Sequence, residues 1–404
     1  MNIEPKIPIG ELLDLHPEVL PVFAAHGFRA DSPESLRQQL DPSWMLQTVL
    51  AAKQLNPVLF IERLNEAVVE AVEAKPLLAT ERPYAGHLEL LAYIVCPLKH
   101  LFKEGLEQQL RVHRDRTGKT VNAFMLMGCG GQDPCEDIWK VDDIDDFPDL
   151  VVSMGFDNLF KRSFLERFVA SGYFQAVQPG PVAEAFADIP DPWGRHTIYA
   201  VFPYVLLIDR AKLGTRPLPR RWGDLLDPAY RGQIVIAGAA DDISEILLLH
   251  FEREFGPTGL EQLAANVKDA WHASKMVKTA GSGRPEGVAI YIIPWFFAES
   301  SAHKDAVAIV WPEDGALVNP MYMLVKASKR NEMALFSGYV TGKEFGEKAA
   351  RAFFPVLNPA VDNLLPSGAR FKWLGWDYIW SVDLEERIES ARVAFLKAWQ
   401  PGAR

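Results

Sequence analysis

No apolar run in this sequence approaches the ~20 residues that a bilayer-spanning helix needs. Cysteine is scarce: three in 404 residues, an odd number that cannot all pair within one chain and that a core of this size does not need as staples. Positive charge is also in deficit. Lys and Arg total 42 against 53 Asp and Glu, a formal net charge of -11, which disfavours non-specific binding to nucleic acid or to an anionic membrane surface. The chain contains no P-loop, no G-x-S-x-G elbow, no H-E-x-x-H and no zinc-finger spacing, so the common phosphate-cradle, hydrolase and metalloprotease signatures are missing. The opening stretch "MNIEPKIPIGELLDLHPEVL" lacks a basic start, an apolar h-region and a small-residue cleavage site. The expectation from it is a cytoplasmic protein with reduced thiols and no membrane insertion.

What is present divides the chain. Residues 1–74 read as short helices punctuated by Pro and Gly: Pro17 starts one and Gly27 ends it, Ser32 caps the next, and Asn56 with Pro57 opens a longer helix whose apolar face carries Leu59, Phe60 and Leu64. Residues 75–87 carry two prolines and no periodicity and read as a linker. From Leu88 the pattern changes to continuous apolar strands between amphipathic helices, which predicts an α/β layer built on a mostly parallel sheet.

The stretch "RWGDLLDPAYRGQIVIA" then resembles the W-x-D-L-L-x-P-x-Y-x-G-x-I pattern of bacterial extracellular solute-binding proteins, through Trp222, Asp224, Leu225, Leu226, Pro228, Tyr230 and Gly232. The resemblance covers about Leu88 to Trp399. It implies an α/β, two-lobe, type II periplasmic-binding-protein-like fold, behind a small all-α N-terminal domain. Lobe one would comprise 88–202 and 319–404, lobe two 203–318, with a ligand cleft between them. The helices of 1–74 resemble the small disulfide domain found beside hybrid-cluster proteins. Here "GFRADSP" stands where that domain carries its Cys pair, which removes a thiol redox role and leaves a docking module with a possible protein partner.

In open α/β sheets ligands bind outside the carboxyl ends of strands, so the loops after the first strands supply candidates. The first, "CPLKH", places Cys96 before Pro97 at a helix start, where free N–H groups lower a thiol's pKa. The second, "GCGGQDPC", contributes Gly128, Cys129, Gly130 and Gly131; the third, "SMGFDN", contributes Ser153 and Gly155. Tyr204 on the first crossing segment, Asn319 and Tyr322 on the second, and Trp295 and Ser282 from lobe two complete the expected ligand contacts. Cys96 and Cys129, with His100 one turn further along, are the candidate metal ligands. Cysteine is equally often a small buried hydrophobe, and the C-x5-C spacing of Cys129 and Cys135 matches no zinc or cluster signature.

The functional expectation is a non-exported solute-binding protein that closes by hinge motion around a small ligand: a metal, a metal-containing cofactor such as an iron–sulfur species, or a small anion. Ferric-iron receptors often use adjacent tyrosines, and the chain has no Tyr-Tyr pair. Two alternatives stay open. One is an enzyme on the same fold with Cys96 or Cys129 as nucleophile and His196, His250 or His272 as base. The other is a protein-interaction adaptor with a vestigial cleft.

Overall fold

The protein is described from a computed structural model that covers residues 3–53, 55–74, 76–127, 133–177, 181–239 and 242–399. It divides into two compact units, Met1–Pro76 and Leu77–Arg404.

The first unit contains the helices α1 (Ile9–Leu15), α2 (Leu20–Ala25), α3 (Pro33–Gln39), α4 (Leu46–Ala52) and α5 (Pro57–Ala74). Local chemistry sets their ends. The Ser32 hydroxyl accepts the Ser35 N–H at 3.1 Å, and Asn56 Oδ1 accepts the Val58 N–H at 3.0 Å, satisfying donors that a helix start leaves unpaired. Ile9, Leu12, Phe23, Leu36, Leu50 and Leu64 pack into one apolar core. Leu59, expected on the buried face, is 60% exposed. Phe60, the next residue, takes the core position and is 2% exposed.

The second unit is built on one sheet. Its strands are β1 (Leu78–Ala79), β2 (Leu90–Ala92), β3 (Ala123–Met125), β4 (Leu150–Met154), β5 (Thr197–Asp209), β6 (Ile234–Ala239), β7 (Asp242–Ile243), β8 (Val267–Trp271), β9 (Ile290–Pro294), β10 (Val307–Val310), β11 (Ala316–Val325) and β12 (Phe371–Lys372). The order is β1-β3-β2-β4-β11-β5-β9-β6-β7, with β10 beside β5, β12 beside β11 and β8 beside β6. β1 to β4 run parallel, as do β6, β8 and β9. The supposed linker 75–87 therefore contains an edge strand, since Leu78 and Ala79 pair with Ala123 and Phe124.

The parallel strands β1 to β4 are short and almost wholly apolar because both faces are covered. Leu91, Phe124 and Val151 point into one core with Phe147, Phe160 and Phe164. Leu90, Ala92, Ala123 and Met125 point into the other, under Phe102, Leu106 and Leu110 of α6 (Lys99–Thr117). That spacing of four places the three side chains on one helical stripe. α6 stops at Gly118, whose φ of 69° is left-handed.

β5 and β11 are long and antiparallel, and they join the two parallel sets. Thr197 to Tyr204 pair with Met323 to Leu317, while Tyr204 to Ile208 pair with Pro294 to Ile290. The chain end departs from the expected grouping of 319–404 with lobe one. Helix Leu384–Ala398 packs instead on helix Glu245–Asn266, which follows β6 and β7, and β12 pairs with Ala316 and Leu317 at the start of β11. The reason is apolar burial: Leu384, Ile388, Ala391 and Phe395 form a buried stripe that needs that helix as cover. Among the described residues no helix is long and apolar enough to cross a membrane.

Two outcomes test this packing. A Cβ added at Gly105 of α6 would stand 2.1 Å from the Tyr339 hydroxyl, which donates to the Phe102 carbonyl. Gly105→Ala should therefore destabilise by about 1–3 kcal/mol in a denaturant titration, as overpacking does. His250 is buried within helix Glu245–Asn266, and burial, with the charges of Lys372 and Arg253, holds its pKa down to about 3. The unfolded chain takes up that proton first, so stability is whole above about pH 6.5 and falls as pH drops toward 3. Between pH 7 and pH 5 the protein should lose about 2 kcal/mol that a His250→Gln variant retains, read by parallel denaturation curves.

Candidate functional site

The register locates a meeting point. Met154, at the end of β4, lies opposite Met321 of β11. Pro294, at the end of β9, lies opposite Tyr204, which lies opposite Leu317 of β11. The two strands run toward each other and stop four residues of β11 apart, ~13 Å at strand rise. Carboxyl ends from both halves of the sheet thus converge on Phe202–Tyr204 and Leu317–Asn319.

Below that point on the β4 side, a cavity of about 240 Å³ is lined by Tyr93, Asp133, Glu136, Trp139, Asp157 and Asn158 among others. Tyr93 follows β2, Asp133 to Trp139 follow β3, and Asp157 and Asn158 follow β4, so three successive strand ends build it. The Tyr93 hydroxyl donates to Asp133 Oδ2 at 2.8 Å, and Asp133 Oδ1 accepts the Cys135 N–H at 2.9 Å. Burial beside Asp133 raises the Tyr93 phenol far above its ordinary range, so it stays a neutral donor. The same causes push the Cys135 thiol up to about 11, which leaves it a poor nucleophile at neutral pH.

Asp157 is held from below. It accepts from the Ser153 and Tyr322 hydroxyls and, at 2.9 Å, from the Leu159 N–H. Desolvation pushes its carboxyl above the ordinary value, while the three donors and nearby His196 pull the other way. His196 is fully buried, stacked on Phe160 at 5.1 Å between ring centres, with Nδ1 3.4 Å from Asp191 Oδ2. On the far side of Asp157 a second cavity, about 400 Å³, is lined by Asp157, Lys161, Glu245, Glu385, Glu389 and Arg392 among others. There Lys161 Nζ meets Glu385 Oε1 at 2.7 Å.

The residues expected from sequence fall into several groups. Gly128, Cys129, Gly130 and Gly131 lie outside the described residues. β2 and β3, which precede Cys96 and Cys129, are adjacent, with Ala92 opposite Met125. Cys96 is exposed in the turn before α6, and His100 is exposed on its first turn. Among the described residues neither belongs to a group of three or more His, Cys, Asp or Glu side chains suited to a metal. Gly155 and Asn319 come together: a Cβ at Gly155, whose φ is 76°, would stand 3.5 Å from Asn319 Oδ1, and the Gly155 N–H donates to the Pro320 carbonyl. Tyr204 sits at the convergence, 8% exposed.

Ser153 lines the cavity of about 240 Å³ with its hydroxyl on Asp157, while Tyr322 and Trp295 are held in packing. Ser153 and Tyr322 are cross-strand partners, buried, and spend their hydroxyls on Asp157. Trp295 is 2% exposed, donates to Glu299 Oε1 at 3.1 Å and packs edge-on against Trp311 and Phe353. Ser282 belongs to a loop entering β9 rather than leaving it. Its neighbour Gly281 donates to Asp209 at the C-terminal end of β5, five residues or ~17 Å of strand beyond Tyr204, so the loop is remote from the convergence. Of the histidines named as possible bases, His196 and His250 are buried in packing and His272 caps the helix after β8.

Tyr93, Asp133, Glu136 and Trp139 were not singled out from sequence. Asp157 and Asn158 stood in the quoted loop "SMGFDN", where the Asx-turn pattern of Asp157 was the available signal. Tyr93 directly follows β2 with no motif around it, and Asp133, Glu136 and Trp139 follow a loop after β3 that no periodicity predicts.

Comparisons with known proteins agree with this architecture. A family model described as "Bacterial extracellular solute-binding protein" matches residues 145–382, more than half of the chain. An ABC transporter structure from Clostridium perfringens ATCC 13124 superposes with a TM-score of 0.52 at 18% identity, over 77% of this chain and 98% of that one. Trichodesmium FutA (IdiA), in complex with iron and citrate, gives 0.54 at 16% identity over 78% and 100%. The periplasmic binding protein AfuA from Actinobacillus pleuropneumoniae, with fructose-6-phosphate bound, gives 0.52 at 13% over 78% and 99%. At such identities these likenesses are of fold. No curated protein sequence matches the chain. With a model of the family spanning more than half of its length, and the same fold around converging strand ends, this chain belongs to the bacterial extracellular solute-binding proteins.

Proposed function

We propose that the protein captures a small cationic solute, an organic cation or a metal carried in its own chelate, in the cavity at the ends of β2, β3 and β4. The two halves of the sheet would close over it by bending the crossing strands β5 and β11. The carrying observation is the lining. The charged side chains on that cavity are Asp133, Glu136 and Asp157, and no Lys, Arg or His is among the described lining residues.

Such a wall repels a small anion and attracts a cation in a partly desolvated site. Of the ligand classes the sequence suggests, the anion fits least. Tyr93 and Trp139 add aromatic surface, which favours cations further. Asp133 and Asp157 already accept protein donors, so Glu136, exposed at the rim, is the carboxylate that meets the ligand. The described residues offer no cluster of three metal-ligating side chains. That favours a ligand bringing its own coordination shell over a bare ion. The iron and citrate named for the Trichodesmium structure make an anionic chelate, which the described lining disfavours, so the chelate that fits here is a cationic one. The sugar phosphate named for AfuA would call for basic groups, and none is among the described lining residues.

Thermal-shift titrations at fixed ionic strength with a polyamine, a cationic metal–amine chelate, ferric citrate and inorganic phosphate provide the test. The polyamine or the cationic chelate should raise the Tm, and ferric citrate and phosphate should leave it unchanged. Glu136→Gln should weaken the effective ligand about tenfold, ~1.4 kcal/mol. Stabilisation by phosphate, or full affinity in the Glu136 variant, would overturn the assignment.

A further inference from the structure

The α-helical first unit carries a groove of about 1160 Å³ between α2 and α5, in which Val22, Leu55, Leu59 and Phe60 supply apolar surface. Leu59 is 60% exposed and its neighbour Val58 73% exposed, two large aliphatic side chains left in water on one turn of helix. Scattered exposed apolar residues are ordinary, but these adjoin a continuous groove, which is how binding surfaces differ from random exposure.

The groove begins at Leu55, before the start of α5, and follows the helix to Ala67, ten residue steps or ~15 Å beyond Pro57. That length matches about three turns of a second helix laid alongside. Leu59, Arg63 and Ala67 recur at intervals of four, the spacing of a helix face that receives another helix. Charge decides what kind of helix fits. Among the described lining residues Glu18, Glu62 and Glu66 stand against Arg63 and His26; Arg63 already pairs with Glu66 at 2.6 Å, and Glu18 meets the His16 ring at 3.0 Å.

We infer that this groove docks a basic amphipathic helical segment of a protein partner. The segment's apolar stripe would cover Leu59 and Leu55, and its flanking Lys or Arg side chains would meet Glu62 and Glu18. Rim charges of this kind govern encounter and specificity, while the buried aliphatic contacts hold the complex. The inference rests on the first unit alone and is independent of what the second unit binds.

The test uses the full-length protein and two synthetic sixteen-residue helical peptides with the same leucine stripe, one flanked by lysines and its twin by glutamates. Fluorescence anisotropy should show at least tenfold tighter binding of the lysine peptide, weakening as salt rises. Leu59→Asp, a change at an exposed position that spares the fold, should reduce that affinity at least tenfold. Glu62→Gln with Glu66→Gln should narrow the gap between the peptides. Glu344→Gln with Glu347→Gln, on a surface helix of the second unit, should change nothing.

Equal binding of the two peptides would overturn the inference, as would undiminished binding to Leu59→Asp or an equal loss in the Glu344/Glu347 control. A concentration-dependent dimer in sedimentation that Leu59→Asp dissolves would overturn it too, assigning the groove to a second copy of the chain.

Discussion

The antiparallel pairing of β5 with β11 is the constraint on which the second unit depends. Seven residues of β11 are registered on β5 between Leu317 and Met323, and each half of the sheet is attached to one end of this pair. The direction of β4 against β11 and of β9 against β5 then forces carboxyl ends to approach from opposite sides. A cleft at Phe202–Tyr204 follows from strand polarity alone. It needs no particular side chain to define it, so one fold can hold different ligands, as the iron and citrate of the Trichodesmium structure and the fructose-6-phosphate of AfuA illustrate.

Beneath the cleft, Asp157 links this backbone frame to the cavity. Its carboxylate gathers Ser153 from β4, Tyr322 from β11 and the Leu159 N–H from the following turn. A desolvated carboxylate is expensive unless hydrogen-bonded on several sides, so the loop after β4 has little freedom to leave this arrangement. The aromatic floor of Phe160, His196 and Trp376 brings residues distant in the sequence under the same loop. Trp376 in turn donates to the Ile189 carbonyl, and the chain then continues into helix Leu384–Ala398 on helix Glu245–Asn266. The C-terminal segment is therefore a further connection between the two halves, beside the crossing strands.

Much of the architecture was legible in the residues. The alternation of apolar strands with amphipathic helices, the crossing run continuing past Pro203, the Ser32 and Asn56 caps and the glycine stop at Gly27 all depend on interactions within a few positions of chain. The "WGDLLDPAY" pattern reports such local geometry too: Trp222–Leu226 and Pro228–Tyr230 are short turns, and Asp224 and Asp227 cap backbone N–H groups within them. The failures share a different cause. A two-residue edge strand such as Leu78–Ala79 has no periodicity to read. Whether a side chain at a strand end faces a ligand or a neighbour depends on what packs beside it, as Tyr322 and Trp295 illustrate.

The sequence by itself determined the fold class, the order of elements, the small helical unit before the sheet and the solute-binding family. These rest on hydrophobic period, capping and turn chemistry, which act over short stretches of chain. Only the tertiary structure decided which loops share a cavity, that its described walls are acidic, that the Ser282 loop lies at the far end of its strand, and that the C-terminal helix lies on the helix after β6 and β7. Each of those is a contact between residues far apart in the sequence. Strand register and burial bring them together, and neither is written in any one local stretch.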